Sequence, residues 1–283
     1  MGFTLPEKDR WINGFCGPFD LEHRVWISPA LIRTGFAGTA RSDVPESFRP
    51  DSVNYRPGEL YFSASSASGT IGQRLIFIDK TNALLECEPS SGLPLRFIID
   101  GMPRGSETHI SDNSVIIRLS YDKTLALTFP RDTRITAAGK GYEAENPVSG
   151  KRQAVISFYN HPLEQPAEIR KANTILAKPD DYRQCHDRIW NSYLTRVLRT
   201  DMPESYNRIA AKAVVTLIGN WRSNRGGLLH DGVVPSHAVG YFMGFWAWDS
   251  WKHAAALASF APDIARNQVR AMFDYQLDDG MII

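Results

Sequence analysis

The chain changes its hydrophobic period near residue 175, and that change constrains its fold more than any other feature. Before it, short runs rich in β-branched and aromatic residues alternate with turn clusters. The runs include Leu75-Ile76-Phe77-Ile78, Ala83-Leu84-Leu85-Glu86-Cys87, Leu95-Arg96-Phe97-Ile98-Ile99, Val115-Ile116-Ile117-Arg118-Leu119, Leu125-Ala126-Leu127-Thr128-Phe129 and Ala154-Val155-Ile156-Ser157-Phe158. Pro89-Ser90-Ser91-Gly92, Ser111-Asp112-Asn113 and Tyr121-Asp122-Lys123 separate them, residues whose backbones favour turns. Strands at this spacing predict an antiparallel sandwich.

After Pro179 the period becomes helical. Asp180 and Asp181 place carboxylates at a helix start, and Tyr182, Cys185, Ile189, Trp190, Tyr193, Leu194, Val197 and Leu198 recur at three- and four-residue steps. A second helix is expected from Pro203, burying Ile209, Ala210, Ala213, Val214, Leu217 and Ile218 and ending at Gly219-Asn220. A third is expected from about Ser250 to Phe260, and a fourth from Ala261-Pro262-Asp263 to Asp278-Asp279-Gly280. Strands first and helices after define an α+β, multidomain chain. The expected division is a β-sandwich over residues 1–175, a linker helix over 176–202, and a helical domain over 203–283.

Two features draw attention within the helical part. Residues 220–245 form a long connection rich in Gly, Ser, His and Asn, and compact domains seldom carry one without a function for it. It leads into Gly244-Phe245-Trp246-Ala247-Trp248-Asp249-Ser250-Trp251-Lys252, which holds three of the chain's seven tryptophans around one carboxylate. An indole packs one side and offers the other to an amphipathic partner. A sugar suits such a place, with its C–H faces on the rings and its hydroxyls on Asp249. An aromatic core cluster with a helix-capping Asp reads the same residues equally well.

Charge and composition exclude several classes. Thirty-two basic against 31 acidic residues leave no concentrated basic surface for nucleic acid. No run approaches the ~18–20 apolar residues of a membrane span. The N-terminus lacks the apolar core of a signal peptide, so a cytoplasmic location is expected unless a leader is missing. Cys16, Cys87 and Cys185 lie far apart, which predicts three buried reduced thiols rather than a disulfide framework or zinc site. His230, His237 and His253 make no ligand set, and no HExxH occurs. There is no GxSxG elbow, and Gly139-Lys140-Gly141 lacks a phosphate loop's residues, so no metal and no cofactor is expected.

The stretch from Leu217 to Gly280 resembles the start of the catalytic domain of glycoside hydrolase family 63. The matching residues are Gly219-Asn220-Trp221-Arg222-Ser223, Trp246-Ala247-Trp248-Asp249-Ser250-Trp251-Lys252, Ala261-Pro262-Asp263-Ile264-Ala265 and Val269-Arg270-Ala271-Met272-Phe273, in order and at matching spacing. Phe19-Asp20-Leu21 and Thr81-Asn82-Ala83-Leu84-Leu85-Glu86 bear a weaker likeness to the sandwich preceding it. The resemblance implies an (α/α)6 barrel of six helical hairpins, of which this chain would hold the first helices. It implies hydrolysis of an α-linked glucosyl or mannosyl substrate with inversion. By position, Trp248 would stack on the sugar from a barrel-mouth loop and Asp249 would accept its hydroxyls. Trp246, Phe245 and Lys252 follow as further substrate-binding candidates, with Tyr241 at the rim.

Glycoside hydrolysis needs two carboxyl groups across the scissile bond, about 6.5–9.5 Å apart in an inverting enzyme. The resemblance places both beyond Ile283, and no Glu follows Glu204. Asp263 reads as a helix start, Asp274 as mid-helix and Asp278-Asp279 as a helix end. The expectation is an N-terminal piece holding part of a sugar site, no catalytic residue, and inner helix faces such as Leu257 and Phe260 left without partners. A glycoside or oligosaccharide is the expected partner. A non-catalytic carbohydrate-binding protein and a glycoside phosphorylase are the alternatives.

Overall fold

The computed structural model describes residues 32–38, 49–100, 105–119, 123–146, 148–159, 161–224, 227–236, 240–242 and 244–282. Cys16, Phe19-Asp20-Leu21 and His237 lie outside them. Two compact units divide between Arg183 and Gln184. The described residues form a mixed α+β structure with a large antiparallel sheet and five helices.

In the first unit the strands are β1 (Arg33–Phe36), β2 (Arg49–Arg56), β3 (Glu59–Ser66), β4 (Gly69–Phe77), β5 (Asn82–Pro89), β6 (Leu95–Ile99) and β7 (Glu107–Ser111). They continue with β8 (Ser114–Arg118), β9 (Thr124–Thr128), β10 (Arg134–Ala138), β11 (Gly141–Glu145) and β12 (Arg152–Tyr159), and helix α1 (Gln165–Ala177) follows. One sheet has the order β1-β6-β11-β10 and the other β2-β3-β4-β5-β12-β9-β8-β7. The sheets face each other. Phe97 on β6 meets Phe129 with ring centroids 5.4 Å apart, and Thr34 Oγ1 on β1 lies 3.4 Å from Cys87 Sγ on β5.

Helix α1 covers the second face of the larger sheet. Ala172 and Ile175 pack on Ile76, Leu84 and Val155, while Ile169 packs on Ile116, Ala126 and Tyr159. With both faces covered, every residue of β5 from Asn82 to Cys87 is buried. That is why the run Ala83-Leu84-Leu85 shows no polar alternation. The sequence reading carried the β region to residue 175 and missed α1, although Ile169, Ala172, Ile175 and Leu176 already repeat at helical steps. Burial pushes the Cys87 thiol up to about 12, keeping it protonated and inert. Cys185, expected to be buried, is exposed.

One polar knot fastens α1 to the sheet. Asp79, in the turn before β5, accepts from Thr81 N at 2.8 Å and Asn82 N at 3.0 Å, and pairs with Lys171 of α1 at 2.9 Å. Glu168 of α1 accepts from Thr81 Oγ1 at 3.1 Å and Asn82 Nδ2 at 3.2 Å, and Ser157 on β12 donates to Asn82 Oδ1 at 2.7 Å. Burial alone raises the Asp79 pKa, but the Thr81, Lys171 and Asn82 bonds outweigh it and hold the carboxyl below its ordinary value.

The second unit holds most of α2 (Pro179–Val197), then α3 (Glu204–Gly219), β13 (Trp221–Arg222), β14 (Gly232–Val233), α4 (Ala247–Ala258) and α5 (Pro262–Phe273). Its core joins Val214 and Ile218 of α3, Val233 of β14, Leu257 of α4 and Phe260, Ala261 and Ala265, with Trp190, Tyr193 and Val197 of α2 packed against them. Leu257 and Phe260, expected to lack partners, are 0% and 2% exposed. The α3 stripe is shifted from the expected one. Val214, Val215, Ile218 and Gly219 are buried, and Ile209 is 72% exposed. Helix α4 begins at Ala247, before the expected Ser250, and α5 ends at Phe273, ahead of Asp278.

Replacing Asp79 removes an acceptor from several donors at once. Asp79→Ala is expected to lower unfolding free energy by about 2–3 kcal/mol in urea at pH 7. Because the folded carboxyl has the lower pKa, its contribution is present above the usual carboxylate range and lost as pH falls through the folded value. The wild-type advantage over Asp79→Ala should therefore shrink in acid.

Candidate functional site

The long connection between α3 and α4 is held by its polar residues. Its first strand, β13, pairs with β14, aligning Trp221 with Val233 and Arg222 with Gly232. Val234 N then donates to Asn220 O at 3.0 Å. Among the described residues, the outer edge of β14 meets no third strand. A side chain of α5 takes that place. Gln268, 0% exposed, accepts from Val233 N through Oε1 and donates to Val233 O through Nε2 at 3.1 Å. The primary amide thus imitates a neighbouring strand and satisfies both backbone groups of a buried residue.

Further contacts run along the same side. Asp231 accepts from Trp221 Nε1 at 2.7 Å and from Asn267 Nδ2 at 2.6 Å. His230 Nδ1 lies 2.7 Å from Asp274 Oδ2, and the Tyr275 hydroxyl donates to Gly227 O. Asp274, read from sequence as mid-helix, is the C-cap residue of α5. Sequence reasoning missed this clasp because its partners lie 35 to 48 residues apart. The nearest local signal is the polar pair Asn267-Gln268 inside an otherwise amphipathic helix.

The clasp sets the entry to α4. A Cβ on Gly232 would lie 2.5 Å from Gln268 Oε1 and 3.0 Å from Phe245 Cε1, so only glycine lets the Phe245 ring rest on the strand. Phe245 is half-buried there, and Trp246, the N-cap residue of α4, follows it. Trp246 is extended at φ −88°, ψ 129° and makes no side-chain cap. Its ring meets Phe242 edge-on at 5.5 Å, and Phe242 meets Tyr241 at 4.5 Å.

Trp248 and Asp249 fall in the first turn of α4 rather than in a loop. The cap position belongs to Trp246, so the helix-capping reading of Asp249 does not hold. The positive end of the helix dipole still favours its charge. The Asp249 side chain is half-buried, and no described residue hydrogen-bonds to its carboxylate. Trp248 is 68% exposed, and Lys252, one turn on, holds Nζ 5.6 Å from the ring centroid. Cation–π contact thus engages the Trp248 ring from one side. Tyr241 is 70% exposed and Trp246 41%. Trp251, the third tryptophan of the segment and not among the expected substrate-binding residues, lies 6.0 Å from Phe273 of α5, and both remain exposed.

His253 lies behind this surface. Burial lowers its pKa, and the Val233 backbone hydrogen bond and the nearby Asp249 charge offset this only in part. Its Nδ1 is buried without a partner. Among the described residues no group of three or more His, Cys, Asp or Glu is placed to hold a metal ion.

No family model matches the sequence. Solved structures do resemble it. A glycosyl hydrolase of family GH92, ccman5, superposes with a TM-score of 0.54 at 11% identity over 85% of this chain and 39% of its own. A protein from the human microbiome assigned as a kojibiose phosphorylase superposes with a TM-score of 0.55 at 10% identity over 86% of this chain and 38% of its own. The chain spans about two-fifths of the length of each. At such identities the likeness is one of fold.

Two outcomes test this geometry. Gln268→Leu should cost about 2–4 kcal/mol, since it leaves both Val233 backbone groups buried and unpaired, and the loss should appear in thermal unfolding. His253 stays neutral in the folded state below the pH at which an unfolded histidine protonates. Stability should therefore fall as pH drops from about 6.5 toward 5. His253→Gln should flatten that limb of a melting-temperature profile; an unchanged slope would assign it to other groups.

Proposed function

We propose that this chain carries the sugar-binding wall of a carbohydrate-active enzyme. The reading favours a glycoside hydrolase acting on α-linked glucosyl or mannosyl substrates with inversion. The observation that carries it is the first turn of α4, where the half-buried Asp249 carboxylate, unbonded by described residues, stands beside an exposed Trp248 ring. An exposed indole costs solvation unless a ligand covers it, and a carboxylate with vacant acceptor sites suits adjacent sugar hydroxyls. Trp246, Phe245, Tyr241 and Lys252 frame the same place. The resemblance to family 63 and the fold shared with the GH92 hydrolase support the assignment. In this reading α3, α4 and α5 open an (α/α)6 toroid, residues 203–283 begin its domain, residues 1–175 form the sandwich, and residues 176–202 link them.

The catalytic acid and base lie outside these residues. Asp231 is committed to Trp221 and Asn267, Asp274 to His230, and Asp263 to Arg266 at 3.1 Å. A carboxylate that orients an indole or clasps a helix end is not available to protonate a leaving group. The chain by itself binds sugar and does not cleave it. The likeness to the protein assigned as a kojibiose phosphorylase supports a second reading, in which phosphate replaces water as the attacking group.

Titrating maltose against tryptophan fluorescence tests the first reading. Binding should quench or shift the emission. Asp249→Asn should weaken binding by tenfold or more, the loss of about 1.5–3 kcal/mol in charge-assisted bonds. Equal affinity in both proteins would remove Asp249 from the site. The 283-residue chain should release no glucose from maltose above a blank; turnover would relocate the catalytic pair into it. Formation of glucose 1-phosphate only when phosphate is added would favour the phosphorylase.

A further inference from the structure

The sheet unit has a cavity of its own. Its volume is 420 Å³, and Tyr61, Thr70, Gly72, Arg74, Glu86, Glu88, Ser90, Lys151 and Arg183 contribute to its walls. That volume falls within the roughly 300–1,000 Å³ of small-ligand sites. Glycine at position 72 keeps it open, since a Cβ there would lie 3.0 Å from the Tyr61 hydroxyl.

Glu86 organises the inner wall. Its side chain is 3% exposed. Oε1 receives Lys151 Nζ at 2.6 Å, Gln153 Nε2 at 2.7 Å and Arg183 Nη2 at 3.1 Å, while Oε2 is buried without any partner. Leaving a buried carboxylate oxygen unpaired is costly. Burying this acid holds two cationic heads, those of Lys151 and Arg183, at the cavity.

The cations around it are already matched. Arg74 Nε pairs with Glu59 at 3.1 Å, Arg183 also binds Asp180, and Lys151 and Arg183 share Glu86. Among the described residues lining it, no surplus cation remains to attract a strong anion. What remains is hydrogen-bonding capacity of both kinds. Lys151 has three N–H donors and spends one on Glu86; the Glu88 carboxylate accepts; the hydroxyls of Tyr61, Thr70 and Ser90 do either. Tyr61 adds an aromatic ring.

We propose that this cavity is a second binding site, for a neutral polyhydroxylated ligand such as a mono- or disaccharide. A sugar hydroxyl donates and accepts at once, which matches a wall of paired charges better than an ion does. The site lies in a different unit from Asp249, and the choice of a saccharide rests in part on the function proposed above.

Calorimetric titration of maltose into the Asp249→Asn protein isolates this cavity. Saturable binding should persist there, and adding Glu86→Gln should weaken it about tenfold or more. Because Glu86 is buried in an ion cluster, Tyr61→Ala in the same background provides a second variant, with folding checked by circular dichroism. It should weaken binding without changing the melting profile greatly. No binding to the Asp249→Asn protein, binding unaffected by both cavity variants, or preferential binding of inorganic phosphate would each overturn the proposal. Failure of the α4 site would appear separately, as equal binding by wild type and Asp249→Asn.

Discussion

The arrangement of the second unit depends on one buried amide. Gln268 binds the N–H and C=O of Val233 from the face of a helix, and so ends a ladder of two strands among the described residues. Everything forward of it follows from that contact. Val233 is fixed in the core with Leu257 and Phe260. Gly232 lies against the Phe245 ring, and Trp246 and the first turn of α4 follow Phe245 in the chain. The aromatic residues at the surface are where they are because a polar side chain is satisfied in the interior.

Polar anchoring recurs in the sheet unit with a different geometry. Asp79, Glu168 and Asn82 join a turn, a helix and two strands through short side chains. Glu86 does something else, since only one of its oxygens is used. Fully paired buried groups specify a fold; half-paired ones beside a cavity hold capacity for a ligand. On that distinction Asp79 and Gln268 are structural, while Glu86 and Asp249 are the residues proposed to face a ligand.

The sequence made the parts with local signals legible. The runs at 75–78, 83–87, 95–99, 115–119, 125–129 and 154–158 each fall in a strand save for Ile78, Leu119 and Phe129 just past a strand end, because β-branched residues between turn formers leave few alternatives. The pairing of Trp248 with Asp249 was readable because the two are adjacent. Helix α1 was obscured by the strand-rich segment before it. The buried stripe of α3 was misplaced at Ile209, since periodicity gives a face and not which end of that face is covered. The clasp was illegible for a plainer reason. A Gln and an Asn in a helix look like surface residues until the strand they serve, some 35 residues away, is placed beside them.

A crystal structure of the chain soaked with maltose tests the functional account most directly. The account predicts a glucose ring lying against the Trp248 indole with two hydroxyls on the Asp249 carboxylate. A sugar-free α4 surface at saturating maltose, with the Asp249 carboxylate closed off by contacts from the protein itself, would contradict it.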